Sequence, residues 1–297
     1  MNELGYLQLM RKILSEGIRK NNRTGIPTLS LVGESLKFDL QKFPLLTTKT
    51  VPWKAVVKEL VWFIRGETDA KILNAQGVKI WDANGSREFL DGRGLNYPEG
   101  ELGPVYGWQW RRFGAPHPAT ITNSKETTDS SDNEGTFGNT GVDQLANAEH
   151  LIRTDPDSRR IFVSAWNPLD LHKMALPPCH ISYQFIVNGG ALHCVSQIRS
   201  SDVFLGLPFN ISSYAFLTCA MAAIHNLKPG TLTINMGDVH IYENHIEQCK
   251  EQLSRDIREP PTLELINLPD SITKITLENF NIVSYDPHPP IRAIMAV

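Results

Sequence analysis

The sequence predicts a mixed α+β body, and three patterns predict it. Apolar residues recur at helical spacing in two separate stretches, 4–18 and 56–64. They alternate with polar residues in strand fashion at 36–40 and 181–198. A further apolar run, between residues 209 and 224, has the character of a core helix. The 297 residues suffice for a full core, as one large domain or two ordinary ones.

Taken in order, Leu4, Leu7, Met10, Leu14 and Ile18 place an amphipathic helix at the start. Asn21 to Pro27 is a turn-rich break. Leu36, Phe38 and Leu40 then alternate as a strand. Val56, Val57, Leu60, Val61 and Ile64 fit a second helix that ends near Gly66. Pro116 to Thr140 is rich in Ser, Thr, Asn, Asp and Gly, with almost no core residues. It reads as a mobile polar surface loop inserted at 116–140, with a domain linker as the alternative. Ile161 to Val163 is an apolar strand. Ile181, Tyr183, Phe185 and Val187 alternate, and Gly189-Gly190 turns the chain into Leu192 to Ile198, as a hairpin or two neighbouring strands. The long helix runs from about Phe209 to Asn226 and stops before Pro229-Gly230. Thr231 to Ile234 reads as a strand, and His240 onward as another helix. No internal repeat is visible.

Composition narrows the function classes. Lys plus Arg number 29 against 32 Asp plus Glu, for a net charge of −3, which argues against a general polyanion binder but not against a local anion pocket. Met1 to Lys20 has no continuous apolar core of a signal peptide. The apolar run within Phe209 to Ile224 is short and contains Asn210, Ser212, Ser213 and Thr218, so it reads as a buried helix and not a membrane span. Cys179, Cys194, Cys219 and Cys249 form no CxxC pair, which fits neither a disulfide scaffold nor a zinc site. A reducing cytoplasm or nucleus is the expected compartment.

Three groups of residues have chemistry to offer. Cys179 follows two prolines and precedes His180; it is either a small core residue or a nucleophile, and the latter needs nearby positive charge. Arg23, Arg159, Arg160 and Arg199 are each ordinary surface charges alone, but several converging would hold a phosphate by forked hydrogen bonds. Asn210 follows the Gly206 to Pro208 turn, where its amide could cap a helix or read a base edge.

The motifs Asn-Arg-Thr-Gly (22–25), Phe-Pro-Leu-Leu-Thr-Thr-Lys (43–49) and Glu-Leu-Val-Trp-Phe-Ile-Arg-Gly-Glu-Thr (59–68) open a collinear series. Ile-Trp-Asp-Ala-Asn-Gly-Ser-Arg (80–87), Leu-Gly-Pro-Val-Tyr-Gly (102–107), Asp-Ser-Arg-Arg (157–160) and Met-Ala-Leu-Pro-Pro-Cys-His (174–180) continue it. Leu-Gly-Leu-Pro-Phe-Asn-Ile (205–211), Gly-Asp-Val-His-Ile-Tyr (237–242) and Tyr-Asp-Pro-His-Pro (285–289) complete it. With these the chain resembles the folate-dependent, cysteine-nucleophile thymidylate synthase family from Tyr6 to Val297, its 83–91 run looking more like eukaryotic and related viral members than the shorter bacterial ones.

The resemblance implies a single α+β domain over residues 1–297, with a mixed β-sheet packed by helices and used as a homodimer interface. It implies conversion of dUMP to dTMP, with 5,10-methylenetetrahydrofolate as both carbon and hydride donor and no metal. Cys179 would add to uracil C6. Glu59 would relay protons through water, and Tyr106 would help remove the C5 proton. Arg23, Arg199 and Ser200 would clamp the phosphate, with Arg159 and Arg160 reaching across from the second subunit. His180, Asp202 and Asn210 would face the base, and His240 and Tyr242 the ribose. Ile80, Trp81, Asn84, Leu176, Asp202, Gly206 and Phe209 would line the folate site. Lys49 would meet the folate tail, and Ala296-Val297 would close over the site. No membrane or nucleic acid is implied.

Some positions depart from the family pattern. Gln197-Ile198 stands where Tyr-Gln is usual, Thr50 where an Arg follows Lys49, and Ile26-Pro27 where Thr-Gly is usual; Pro52 alters the rim of the tail site. These keep two alternatives in view: a dUMP hydroxymethylase, and a weakened nucleotide- or RNA-binding relative. A papain-like hydrolase lacks its local signature around Cys179.

Overall fold

The computed structural model describes residues 2–121 and 141–295. Residues 122–140 of the expected loop, and Ala296-Val297, lie outside the described residues. The first half of the chain holds α1 (Asn2–Glu16), β1 (Ile18–Lys20), β2 (Thr28–Asp39), α2 (Trp53–Arg65), α3 (Ala70–Asn74), α4 (Arg87–Gly92), α5 (Tyr106–Arg112) and α6 (Pro118–Ile121). The second half holds α7 (Gln144–Thr154), β3 (Phe162–Ser164), β4 (His180–Asn188), β5 (Ala191–Asp202), α8 (Gly206–Ile224), β6 (Lys228–Tyr242), α9 (Ile246–Leu253), β7 (Thr262–Leu265) and β8 (Phe280–Val283).

Six strands form one mixed sheet in the order β1-β2-β6-β5-β4-β3. β5 and β6 are parallel, joined by α8, and the other neighbours are antiparallel. Gly189 and Gly190 both have positive φ, 59° and 73°, the turn that closes a tight β4–β5 hairpin. The register sorts side chains by face. Leu36, Ile234, Ser196, Tyr183 and Val163 form one row, and all are buried. Their neighbours Lys37, Thr233, Val195, Gln184 and Phe162 form the opposite row, and it is half-buried to exposed. The buried face packs on α8, whose Phe216 meets Phe43 at 4.6 Å and Phe280 at 5.3 Å. α8 is long and apolar enough to cross a membrane, but 72% of that window is buried inside the fold, as a core helix should be. α2 lies beside it and ends where Gly66 turns left-handed at φ 73°, its N–H bonding Phe63 O.

Four local expectations are corrected. Ile18 is not in the first helix; the helix stops at Glu16, and Ile18 pairs with Ser30 at the sheet edge. His240 does not start a helix. β6 runs through Tyr242 because it is paired on both sides, Tyr242 with Thr28 and His240 with Asp202, and pairing outweighs local pattern. α8 begins at Gly206, so Asn210 sits within the helix and caps nothing; Asp202 Oδ1 holds the preceding turn by accepting from the N–H groups of Phe204 and Leu205. The expected surface loop starts inside the fold. His117 is buried, 3.1 Å from Thr68 Oγ1 and edge-on to Trp108, and burial pushes its pKa down to about 4.

A buried carboxylate joins α7, α8 and the 271–274 turn. Glu149 accepts from Ser271 Oγ (2.6 Å) and Ile272 N–H (3.0 Å), and His225 Nε2 lies 3.4 Å away. Burial pushes its pKa up, but His225, Ser271 and Ile272 together hold it below the usual value. A carboxylate depressed in the folded state stabilises above its unfolded pKa, about 4.3, and loses that contribution as pH falls through the folded value. Glu149→Gln is therefore expected to lower stability at pH 7 by about 1.5–3 kcal/mol, the range for bonds to a charged group. The difference should shrink toward pH 3, as read by denaturant melts across pH; a pH-independent difference would refute the linkage.

Candidate active site

Cys179 lies just before β4, and its backbone is pinned on both sides. Tyr106, first residue of α5, accepts the Cys179 N–H at its hydroxyl (2.7 Å). Arg199 on β5 donates its own N–H to Cys179 O (2.9 Å). Its guanidinium donates Nε to Pro178 O (2.8 Å) and Nη2 to Pro177 O (3.0 Å). The two prolines leave those carbonyls in a stiff segment, so the guanidinium fork fixes the thiol's approach. The rest of Arg199 is exposed, with its carbon centre 5.6 Å from the Trp166 ring. Burial raises the Cys179 pKa overall; Arg199, the Tyr106 hydroxyl and Arg23 each pull it back. The expected positive setting is therefore present, but within one chain it is outweighed by desolvation.

Beneath the thiol lies an aromatic layer. Tyr106 stacks on His180 at 4.2 Å and meets Trp81 edge-on at 5.9 Å. His180 Nδ1 is 2.8 Å from Tyr214 OH, and burial drives its pKa down to about 3, so this imidazole is neutral. Glu59, on α2, accepts from Trp81 Nε1 at 2.8 Å. Burial raises the Glu59 pKa to about 7, and the Trp81 bond restrains the shift. A carboxyl poised there exchanges protons at neutral pH.

The other side holds the polar groups expected to bind a nucleotide. Asp202 and Ser200 end β5, Asn210 lies one turn into α8, and His240 and Tyr242 end β6. His240 is buried, its Nδ1 3.0 Å from Asp238 Oδ1 and its ring edge-on to Tyr242. Burial pushes Asp238 up, but Lys20, Ser30 and His240 hold its pKa below the ordinary value. Sequence reasoning missed Asp238, although residues two apart on a strand share a face. It also missed Asn22, which shapes the Arg23 turn. Asn22 Oδ1 accepts from Thr24 N–H (2.9 Å) and Oγ1 (2.7 Å), while Nδ2 donates to Ile26 O (2.8 Å). Pro27 O accepts from Glu243 N–H (2.9 Å), which ties the turn to the end of β6.

Leu176, Ile80 and Phe209 are half-buried beside the core, and Gly206 opens α8. Asn84 is buried with its Nδ2 unbonded, an orphan donor that a ligand acceptor would satisfy. Half-buried apolar faces with such a donor fit a flat heteroaromatic ligand. Lys49 differs from expectation: it is 6% exposed, and its ammonium donates to Phe204 O and lies 3.5 Å from the Phe204 ring centroid. Burial lowers its pKa to about 8. In this structure the side chain lies in the interior. Thr50 likewise turns inward, donating to His288 O (2.8 Å). Of the other departures, Ile198 is core, in register with His180, and Gln197 sits on the outward sheet face between Ser182 and Asn235. Arg159 and Arg160 are exposed before β3. Among the described residues, no His, Cys, Asp or Glu cluster could hold a metal. Two cavities of about 340 and 380 Å³, flanking α2, contain none of the groups around Cys179.

Similarity to known proteins matches this geometry. The family model described as thymidylate synthase matches residues 4–297. Thymidylate synthase of Homo sapiens is 50% identical over 297 residues, covering 99% of this chain and 91% of that protein. Its counterpart in Ascaris suum is 49% identical, covering 100% of this chain and 97% of that protein. The thymidylate synthase of Human herpesvirus 8 type P is 48% identical, covering 99% and 84%. A half-buried cysteine pinned by an arginine and a tyrosine, in a chain matched from end to end at about half identity, places it in the thymidylate synthase family.

Proposed function

We propose that this protein is a methyltransferase that converts dUMP to dTMP, and that residues 1–297 act as a single domain. The observation that carries the reading is the meeting of Cys179, Arg199, Tyr106 and the Glu59–Trp81 pair in one site. Bound 5,10-methylenetetrahydrofolate supplies the one-carbon unit and the hydride. The residues of the chain do the rest. Arg23 and Arg199 bind the phosphate and draw the thiol toward its thiolate, and Ser200 assists them. The Cys179 thiolate forms a bond to uracil C6, which makes C5 nucleophilic. Asn210 presents its amide to the uracil edge, and His180 and Asp202 hold polar groups around the base. Tyr106 is placed to help take the C5 proton, and Glu59 moves protons through water. His240, oriented by Asp238, binds the ribose with Tyr242. Trp81, Ile80, Asn84, Leu176, Gly206 and Phe209 would hold the folate and exclude water.

The Trp81–Glu59 bond favours methylation over hydroxymethylation, because it fixes the indole where it shields the carbon from water. Incubation with dUMP and methylenetetrahydrofolate should yield dihydrofolate and dTMP in equal amounts. Formation of 5-hydroxymethyl-dUMP without dihydrofolate would overturn the reading.

The outward sheet face, with Phe162 46% and Ile186 38% exposed, supports a homodimer through that surface. Arg159 and Arg160 would then complete the partner's phosphate site, adding to the positive charge that Arg23 and Arg199 bring to the thiol. Co-expressing a Cys179→Ser chain with an Arg159→Ala/Arg160→Ala chain should restore about a quarter of wild-type activity, since half the dimers carry one intact site. Absence of complementation would place both arginines in their own subunit's site. The cysteines, free among the described residues, suit a reducing compartment, and we place the protein in the cytoplasm or nucleus.

A further inference from the structure

The turn after β6 holds a side chain that the reaction does not explain. His245 is fully buried between the rings of Phe204 (5.5 Å) and Tyr242 (5.8 Å). Its Nε2 lies 2.8 Å from the carbonyl oxygen of Ile294, 49 residues later, and so carries the proton. The exposed Asn244 donates Nδ2 to the same oxygen at 3.4 Å. His245 Nδ1 is buried with no partner. A fold rarely leaves such a nitrogen orphaned without a use for the residue.

The far end of the contact explains the use. Ile291 and Ala293 pack against the core, but the next side chains do not: Ile294 is 80% exposed and Met295 41%. Among the described residues beyond Ala293, Ile294 and Met295, the hydrogen bonds to the rest of the fold run through the Ile294 carbonyl. That carbonyl is tethered to a ring wedged between Phe204, beside the site, and Tyr242, within it. Phe204 follows Asp202 and receives the Lys49 ammonium, and Tyr242 stands beside His240.

We propose that His245, assisted by Asn244, is a positioning residue that fixes the C-terminal segment against the active site through the Ile294 carbonyl. This rests on the methyltransferase reading for its kinetic consequences, but not for its structural ones. His245→Ala should raise amide exchange in the peptide covering 291–297 and leave exchange in β4, β5 and α8 unchanged. It should raise KM for the folate about tenfold, as expected for one lost buried hydrogen bond, and leave KM for dUMP within about twofold. His245→Gln, whose amide can still donate, should recover most of both effects. Asn244→Ala, at an exposed position, should fold normally and loosen the tail by about twofold, in keeping with its longer bond. In a chain truncated before Ile294, His245→Ala should have no further effect on tail exchange or KM, because the truncation already removes the acceptor of the His245 bond.

Unchanged tail exchange in His245→Ala would overturn the proposal. So would additive effects in the truncated chain, or exchange that rises throughout the fold in both His245→Ala and His245→Gln. Loosening of the tail without any dTMP formation by the unaltered protein would instead refute the activity and leave the tether standing.

Discussion

Cys179→Ala is expected to abolish dTMP formation, lowering kcat/KM by about 10⁴-fold or more, while dUMP still binds within about tenfold of the unaltered protein. The first half follows from the chemistry. No other sulfur takes its place: Cys194, Cys219 and Cys249 are buried, and burial drives each of their thiols up to about 12. The second half follows from the geometry. Arg199 reaches the Pro177 and Pro178 carbonyls and not the sulfur, so its guanidinium keeps its place when the thiol is removed. Tyr106 likewise bonds the residue's backbone N–H, which an alanine retains. Calorimetric titration with dUMP and the dihydrofolate assay on one preparation separate the two. Turnover within a hundredfold of the unaltered protein would remove Cys179 as the nucleophile, and loss of dUMP binding would show that the thiol also builds the pocket.

The electrostatics of that thiol show what a sequence can and cannot disclose. Arg23 and Arg199, each an ordinary surface charge by itself, are legible as candidates only through the family resemblance of the motifs that hold them. Their effect was not legible, because it is a balance between charge and burial, and burial wins within one chain. The strands β4 and β5 and the helix α2 were read correctly, since their periodicity agrees with their burial. His240 was misread as helical because its neighbours in β2 and β5 are far away in sequence. The burial of Lys49 is not legible either, since nothing local reveals that Phe204 would cover it. The partners that tune the site escaped for the same reason. Asp238 is joined by Ser30 from β2 and Lys20 from β1, and Tyr214 reaches His180 from α8. Residue types name candidate chemistry, and long-range contacts decide its state.

Glu59→Gln tests that principle with the second largest effect. The amide keeps the oxygen that accepts from Trp81 Nε1, so the indole stays in place and only the proton is lost. Proton transfer by a positioned carboxyl contributes about 10²–10⁴-fold, so kcat should fall by that order with KM for dUMP little changed. The unaltered protein should show a titration limb near pH 7 in kcat/KM, set by the burial that raises Glu59, and the variant should lack it. Stability supplies an independent check, and its sign is opposite to that of Glu149. A carboxyl whose folded pKa is raised makes the fold lose stability as pH climbs from the unfolded value, about 4.3, to the folded one. Glu59→Gln removes that penalty, so the inactive variant should be the more stable protein above pH 7 and should lose the advantage at pH 4. An inactive variant that is also less stable at pH 8 would mean that Glu59 is structural and that its raised pKa is incidental. A variant that is more stable and inactive would mean that the fold holds a strained, half-neutralised acid at this position because the reaction requires it.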